Sequence, residues 1–323
     1  MAAVLAAGMV ACQPTQLPAT TPAPQAAASA AQAHSARPQR IVSLNLCTDQ
    51  LLLQLVDKRR IVGLSRLVRD AESSMLAQEA QGIPVVSGSA EEVLALKPDL
   101  VLAGAFTTRH TTQMLRQFGI PVLVVPGIDS LEEAQAQIML VARHTGDEAR
   151  GRAIVRRMQL ARQHLADAVA AEYAAATASA PASAPGQRPA AALYGATAGS
   201  AGSQTLYDDM LNLAGWRNAA AEAGIQGYGT LPLEQLVAAA PRLLLVPHYG
   251  YNMQGAQRPL EHPVLTKLNV HRLTLPARMT ICGGPWNVQA AELLAAQRRA
   301  LALPHNRATP ASTRPLNQPE RPQ

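Results

Sequence analysis

The sequence predicts an α/β protein with two Rossmann-like lobes, each built on a mostly parallel sheet and joined by one long helix. Short apolar runs rich in Val, Leu and Ile alternate with helical segments, an order typical of parallel sheets covered by helices on both faces. This alternation occurs in residues 40–146 and again in residues 190–303. With 323 residues and 48% hydrophobic content, the chain holds enough apolar material for two cores.

The predicted helix between the lobes spans residues 147–173. Gly146 ends the preceding helix, and Asp147 is placed to cap the new one. Apolar residues recur along it at spacings of three and four, while most charged residues fall on other faces. At 1.5 Å per residue the helix would be about 40 Å long, enough to cross from one lobe to the other. The apolar positions are Ile154, Met158, Ala161, Leu165 and Ala168.

The first lobe, residues 40–146, is predicted to contain five strands and four helices. Several of the strands are apolar throughout, as expected of a sheet that is buried on both faces. Thr48 or Asp49 is expected to cap the first helix. The predicted strands are residues 40–44, 61–64, 84–86, 100–103 and 121–125, and the predicted helices are residues 49–56, 90–96, 107–118 and 131–144.

The second lobe, residues 190–303, repeats the pattern with a glycine-rich loop at residues 195–202. Ligands of open α/β sheets lie outside the carboxyl ends of the strands, so each lobe is expected to turn its strand-to-helix loops towards a shared cleft. The predicted strands are residues 190–194, 243–246 and 270–273, and the predicted helices are residues 205–214, 232–239, 263–268 and 287–301.

The segments outside the lobes have biased compositions. Residues 1–12 are small and apolar and end at Cys12, which resembles a bacterial lipoprotein signal with Cys12 as the lipidation site. A frayed apolar terminus is the alternative. Residues 13–39 are predicted to be a disordered tether, residues 174–189 a flexible connector and residues 304–323 a disordered tail, because they offer little to bury.

Charge and motifs narrow the function. The formal charge of +6 comes mostly from scattered arginines without a basic run, which favours a solvated surface over a nucleic-acid partner. The chain contains no Cys-x-x-Cys, Gly-x-Ser-x-Gly, His-Glu-x-x-His or Walker motif, and Gly195–Gly199 does not match the dinucleotide fingerprint. We therefore predict no catalytic residues.

Five segments together resemble one known family: residues 40–44, 61–65, 90–102, 233–237 and 285–290. They resemble the periplasmic substrate-binding proteins of ABC importers for cobalamin, heme and ferric siderophores, and the most specific of them is a helix followed by Lys-Pro-Asp and an apolar strand. The resemblance implies the class III fold, with two lobes linked by one rigid helix. It also implies a lipid-anchored monomer in the periplasm, an iron or cobalt chelate as transported ligand, an ABC permease as partner and no permanently bound cofactor.

The resemblance also assigns two docking residues. In the family, one acidic residue near the start of a helix in each lobe contacts arginines of the permease, and these positions match Glu91 and Glu234. Paired surface carboxylates of this kind orient docking more than they add affinity. The alternative is that both are first-turn glutamates favoured by the helix dipole.

The candidate ligand-binding residues lie just beyond the predicted strand ends. Their arginines suit carboxylates or phosphates of a chelate, Tyr249 and Trp286 would stack on a flat chelate, and His248 is a candidate axial ligand. For each residue the alternative is a rim or core position. The candidates are Asn45, Cys47, Ser65, Arg66, Ser87, Phe106, Thr107, Arg109, Tyr194, Thr197, His248, Tyr249, Arg278, Cys282 and Trp286.

Cys47 and Cys282 are expected to face the cleft from opposite lobes, although 235 positions separate them. Three interpretations remain open: a disulfide between the lobes, paired thiolates in a soft-metal site, and unpaired buried cysteines. A thiol-dependent or redox periplasmic enzyme using both cysteines is the rival function. Bare-metal binding is a further alternative, although the histidines show no clustered spacing.

Overall fold

The computed structural model describes residues 37–105, 107, 109–179, 188–247, 263–268 and 270–302. The chain divides into two units, Met1–Arg37 and Pro38–Gln323, and every element below belongs to the second unit. Several sequence predictions lie outside the described residues: the signal with Cys12, most of the tether, the tail, Phe106, His248 and Tyr249. None of the helices within the described ranges combines the length and apolarity that crossing a membrane requires.

The first lobe contains a five-stranded sheet in which every pair of neighbours is parallel, and this confirms the predicted class. The order is β3-β2-β1-β4-β5. Two residues of the central strand pair with both neighbouring strands: Ile41 lies opposite Ile61 and Leu100, and Val42 lies opposite Gly63 and Val101. The strands are β1 (Ile41–Ser43), β2 (Ile61–Ser65), β3 (Val85–Val86), β4 (Leu100–Gly104) and β5 (Val122–Val125).

Four helices cover this sheet: α1 (Leu46–Leu55), α2 (Ala90–Ala95), α3 (Arg109–Gln117) and α4 (Leu131–Thr145). The predicted cap of α1 is wrong, because the helix begins three residues earlier. The side chain of Asn45 accepts a hydrogen bond from the backbone N–H of Cys47 and caps the helix, so Thr48 and Asp49 lie inside its first turn. Ser89 and Ser130 cap α2 and α4 in the same way.

The second lobe contains a four-stranded parallel sheet in the order β11-β10-β6-β8 and a separate antiparallel pair, β7 and β9. The sequence prediction missed β7, β8, α7 and β9, because elements of two to four residues carry too little periodicity. The elements are β6 (Ala190–Leu193), β7 (Gly199–Ala201), α6 (Leu206–Leu213), β8 (Arg217–Asn218), α7 (Ala219–Glu222), β9 (Tyr228–Thr230), α8 (Leu233–Ala238), β10 (Leu243–Leu245), α9 (Pro263–Lys267), β11 (His271–Leu273) and α10 (Pro285–Ala302).

The helix between the lobes, α5, spans Glu148–Ser179. Its 32 residues make it about 48 Å long, because each residue adds 1.5 Å. It continues six residues beyond the predicted end, which shortens the predicted connector. Alanine is the best helix former, and the added stretch is mostly alanine.

The apolar face of α5 serves both cores. Ile154 and Met158 pack in the first-lobe core, whereas Leu165 and Val169 pack in the second. Ala168, predicted to belong to this face, is exposed, and its neighbour Val169 takes the buried position. A residue of α5 therefore stabilises one lobe or the other according to its place along the helix.

The junction of α4 and α5 is fixed by a buried ion pair. Gly146 ends α4 with a φ of +71°, a left-handed conformation that glycine adopts without strain. Next to it, Asp147 accepts a hydrogen bond of 2.8 Å from the guanidinium of Arg60. Arg60 also donates to the carbonyl oxygens of Pro38 and Thr145, each at 2.6 Å. These contacts tie the start of the folded unit to the beginning of α5.

The two lobes also contact each other away from α5. Trp286, at the start of the second-lobe helix α10, is part of the first-lobe core, and Leu131 of the first lobe is part of the second-lobe core. The backbone N–H of Leu131 donates to a carboxylate oxygen of Asp209 at 2.8 Å. Gly283 lies so close to α4 that a Cβ there would be 2.9 Å from the Cβ of Ala134. Close packing therefore restrains the angle between the lobes.

Candidate ligand-binding cleft

The first-lobe edge of the cleft is a network of polar side chains bonded to one another. The backbone N–H of Ser65 donates to Asp49 at 3.1 Å, and the Ser65 hydroxyl makes a second, shorter bond to the same carboxylate. The hydroxyls of Ser43 and Thr48 share a hydrogen bond of 2.7 Å. Asn45 is committed to capping α1. The predicted ligand residues Asn45 and Ser65 therefore hold the β1 and β2 ends against α1.

Asp49 is the central group of this network and is fully buried. Burial raises the pKa of its carboxyl from 3.8 to about 7, although hydrogen bonds from Ser43 and Ser65 partly oppose the shift. Sequence reasoning treated Asp49 only as a possible helix cap. Its position one helical turn after the Asn45 cap was the available signal, because that turn packs against the next strand.

The other predicted residues of the first lobe are spread along its surface. The backbone N–H and hydroxyl of Ser87 donate to Glu92, and these bonds lower the pKa of that carboxyl. The hydroxyl of Thr107 accepts from the backbone N–H of Gly104 at 3.0 Å. Arg66 and Arg109 are exposed. No described contact brings these side chains together into one site.

Cys47 and Cys282 are joined by a disulfide bond between the lobes. The two sulfurs are 2.13 Å apart and the two Cα atoms are 5.1 Å apart. Cys47 is half-buried at the start of α1, and Cys282 is 1% exposed. Of the three interpretations of this cysteine pair, the structure contains the first, a disulfide between the lobes.

A cavity of about 400 Å³ lies on the second-lobe edge, beside this bond. Its walls come from the loops after β6 and β10, from the β7–β9 pair, and from Thr280 and Ile281. The carbonyl oxygen of Ile281 is 3.7 Å from the Cys47 sulfur, which places the cavity next to the first lobe. Its lining residues are Leu193, Gly195, Gly199, Ser200, Tyr207, Tyr228, Gly229, Pro247, Thr280 and Ile281.

The cavity offers aromatic surface and hydroxyl groups, and no ionisable carboxylate, guanidinium or imidazole is among its described lining residues. The hydroxyl of Tyr207 donates to that of Thr280 at 3.1 Å. Ser200 donates to the carbonyl oxygen of Leu193 at 2.6 Å. Tyr228 is 65% exposed. This chemistry suits a ligand with a flat or apolar part and a few polar groups, and cavities of this size hold small molecules or part of a larger one.

None of the predicted second-lobe residues that the structure describes lines the cavity; they are Tyr194, Thr197, Arg278, Cys282 and Trp286. The prediction that Trp286 stacks on a ligand is wrong, because its ring is 4% exposed and its indole N–H donates to the carbonyl oxygen of Cys282 at 2.7 Å. Tyr194 is 3% exposed and packs in a core cluster with Leu244. The backbone N–H of Arg278 donates to the carbonyl oxygen of Glu72, which makes it a contact between the lobes.

Sequence reasoning missed Tyr207, Tyr228 and Thr280. Two signals were present: the glycine-rich loop was placed at the cleft, and Tyr228 lies between Gly227 and Gly229. The missing step was the β7–β9 pairing, in which Ala201 lies opposite Tyr228. Thr197, predicted from the same loop, is exposed with a φ of +56°.

Within the described ranges, no group of three or more His, Cys, Asp or Glu side chains is placed to hold a metal ion. Glu91 and Glu234, the predicted docking residues, are both exposed in the first turn of a short helix. Glu234 is close enough to Tyr194 to add to the effect of burial, which raises the pKa of that phenol.

The chain is similar to one protein family and to individual curated proteins. The profile of the periplasmic binding protein family matches residues 41–269. A cobalamin-binding protein of Halobacterium salinarum is 29% identical over 132 residues, which are 41% of this chain and 36% of that protein. This chain thus aligns with about a third of the length of the curated relatives it matches.

Solved structures share the fold. A periplasmic heme-binding protein from Roseiflexus sp. RS-1 superposes with a TM-score of 0.64 and 24% identity, covering 82% of this chain and 99% of that one. A periplasmic vitamin B12-binding protein of Vibrio cholerae gives a TM-score of 0.57 and 17% identity, covering 82% and 98%. With the family profile matching most of the folded region, the chain belongs to the periplasmic binding protein family.

Proposed function

We propose that this chain is the substrate-binding component of an ABC importer that captures an iron or cobalt chelate between its lobes and delivers it to a permease. The observation that carries the proposal is the cavity beside the lobe-bridging disulfide, at the strand ends where α/β proteins bind ligands. The names of the relatives support the chelate class, since they bind cobalamin, heme and vitamin B12.

Recognition falls mainly to the second lobe. Tyr228 presents an exposed ring that would stack on a planar ligand, and the Tyr207–Thr280 hydroxyl pair would receive a polar group. A cavity of about 400 Å³ takes only part of a large chelate, so the remainder would lie against the first-lobe edge. Arg66 and Arg109, exposed on that lobe, are the predicted partners for ligand carboxylates.

Capture would require little change in the angle between the lobes. The disulfide, the Leu131–Asp209 bond and the packing of Gly283 against α4 already hold the lobes together. A binding surface that is formed in advance avoids the entropic cost of ordering it around the ligand. Because binding alone accomplishes the function, no catalytic residue and no resident cofactor are part of the proposal.

Delivery would use Glu91 and Glu234 as docking carboxylates for the permease. One lies in each lobe, and both are exposed at the start of a helix, where they can pair with arginines of another protein. Cys12 would carry a lipid anchor that keeps the monomer at the periplasmic face of a membrane. Thiol-dependent catalysis, the rival function, needs a free thiolate, and both candidate sulfurs are bonded to each other.

The experiment is a calorimetric titration of the purified full chain with heme, cobalamin and a panel of ferric siderophores. We expect one class to bind with one-to-one stoichiometry and to be recovered chemically unchanged. No binding across the panel would contradict the proposal, and so would conversion of the chelate. A parallel thiol titration of the native protein checks the rival function, which requires reactive thiols at Cys47 and Cys282.

A further inference from the structure

A second cavity, of about 840 Å³, lies on the edge of the second lobe opposite the cleft. It is formed where β6, β8 and β10 begin and where α5 and α10 end, and we call it the rear cavity. The ligand cavity described above lies at the other ends of β6 and β10. The proposed transport function makes no use of this site.

Five arginines line the rear cavity: Arg188, Arg217, Arg242, Arg298 and Arg299. Such a concentration is notable because the charge of the chain is otherwise scattered. Guanidinium groups bind phosphate through paired N–H donors, and several around one cavity raise the local concentration of anions.

Carboxylates compensate only part of this charge. Arg298 and Arg299 share one carboxylate, that of Glu172, and Arg217 is paired with Glu222 at 2.9 Å. In the part of the chain that the structure describes, neither Arg188 nor Arg242 is paired with a carboxylate. Five positive charges therefore stand against two negative ones. The remaining three are enough to balance the charge of one phosphate group.

The uncompensated arginines are held in place by neutral groups. Arg242 donates to the carbonyl oxygen of Leu301 at 2.8 Å, and Arg188 lies over the ring of Tyr173, 5.6 Å from its centre. Arg298 lies 4.9 Å from the centre of the same ring and donates to the carbonyl oxygen of Ala214. Carbonyls and rings orient guanidinium groups without neutralising them, so the excess charge remains.

The wall between the arginines is mostly apolar. Tyr173, Pro189, Trp216 and Leu301 contribute to it, together with several alanines. Arg298 is only 7% exposed, and Trp216 is fully buried, so the cavity reaches down to the core of the lobe. A hydrated inorganic ion would leave this apolar wall in water, whereas an ion with an apolar body would cover it.

We propose that the rear cavity binds a phosphate group attached to a small apolar body. Arg188 and Arg242 hold the phosphate, and Tyr173 and Leu301 contact the apolar part. The same chemistry occurs in a soluble phosphate ester and in the headgroup region of an anionic phospholipid. The binding is independent of chelate capture, because the two cavities lie at opposite ends of the second-lobe sheet.

Calorimetry of the full chain with short-chain dihexanoyl phosphatidic acid, below its micellar concentration, tests the site. We expect Arg188→Gln and Arg242→Gln each to weaken binding about tenfold and the double variant about a hundredfold. Arg152→Gln, which removes an exposed arginine of α5 outside the cavity, is the matched control and leaves the affinity unchanged. Raising the salt concentration weakens binding to the wild type.

Two further arms distinguish the source of the phosphate. Binding of phenyl phosphate, a soluble ester with an apolar body, with the same dependence on Arg188 and Arg242 supports a soluble ester. Co-sedimentation with phosphatidylglycerol vesicles that the double variant loses and the control keeps supports a lipid. The proposal is overturned if no probe binds at millimolar concentration, or if the double variant binds like the Arg152→Gln control. Unchanged thermal unfolding of the double variant excludes misfolding as the cause of a loss.

Discussion

The two edges that face the cleft are built differently. On the first-lobe edge, Ser65 donates two hydrogen bonds to Asp49, and the side chain of Asn45 caps α1. These polar groups are therefore already bonded within the protein. On the second-lobe edge, the β7–β9 pair leaves a cavity lined by Tyr207 and Tyr228. The first edge is therefore a structural support, and the proposed ligand recognition lies mostly on the second edge.

This difference has a local cause. In the first lobe, the chain passes from β1 into α1 through Leu44 and the Asn45 cap, so the helix closes over the strand end. In the second lobe, a glycine-rich segment and a strand separate β6 from α6. The longer connection keeps the helix away from the strand ends and leaves room for a ligand.

The largest expected effect concerns the disulfide that fixes the two edges beside each other. Changing Cys47 and Cys282 together to Ser should lower the free energy of unfolding by about 4 kcal/mol, because the bond closes a very long loop in the unfolded chain. Denaturant titration of the full chain under oxidising conditions measures this change. Cys12→Ser, which removes the third cysteine, is the matched control.

The expected loss should also appear when the wild type is reduced before unfolding. Equal stability of the double variant, the Cys12→Ser control and the oxidised wild type would mean that the bond does not restrain the lobes. The two edges would then be held beside each other by packing and hydrogen bonds, without a contribution from the disulfide.

Asp49 makes the stability of the first-lobe edge depend on pH. Because its folded pKa of about 7 lies above 3.8, its contribution to stability is complete below about pH 4 and is lost as the pH rises through 7. Asp49→Asn should remove this loss and raise the free energy of unfolding at pH 8, relative to the wild type, by about 2 kcal/mol. Unfolding measured at pH 5 and pH 8 checks this result.

Asp57→Asn serves as the control for this measurement. Asp57 is exposed and its hydrogen bonds from Arg59 lower its pKa to about 2, so it stays ionised between pH 5 and pH 8. The control should keep the wild-type dependence on pH. An Asp49→Asn protein with that same dependence would show that the buried carboxyl does not titrate in this range.

Tyr228 tests whether recognition lies on the second-lobe edge. Tyr228→Ala should weaken binding of the transported chelate about tenfold, equivalent to about 1.4 kcal/mol, because the exposed ring is lost from the cavity. Phe118→Ala is the matched control, since Phe118 is also 65% exposed and follows α3, outside the cavity. Equal affinities of both variants would place recognition elsewhere.

The smallest effect on binding is expected for Glu91 and Glu234, the proposed docking carboxylates. Glu91→Lys and Glu234→Lys should leave chelate affinity unchanged while slowing transport in vesicles that contain the permease, because charge pairs at a rim act mainly on association. Glu148→Lys, in the first turn of α5, is the control. Transport at the wild-type rate by both single variants and their double variant would contradict the docking role.

The sequence predicted the fold better than it predicted the candidate ligand-binding site. Parallel strands and the crossing helix follow from local patterns such as the Val-Leu-Val-Val run of β5 and the Ile154–Met158–Leu165 spacing. The site depends on which polar groups are already bonded. In the sequence, Ser65 and Tyr194 look equally suitable as ligand-binding residues. In the structure, Ser65 donates hydrogen bonds to Asp49, and Tyr194 is buried in a core cluster.

The most direct test of the account is a crystal structure of the full chain with the chelate that binds most tightly in the titrations. The account predicts the chelate between the lobes, with Tyr228 against its flat part and the Cys47–Cys282 bond intact beside it. A chelate bound in the rear cavity or on the outer surface, with the cavity at Tyr228 empty, would contradict it.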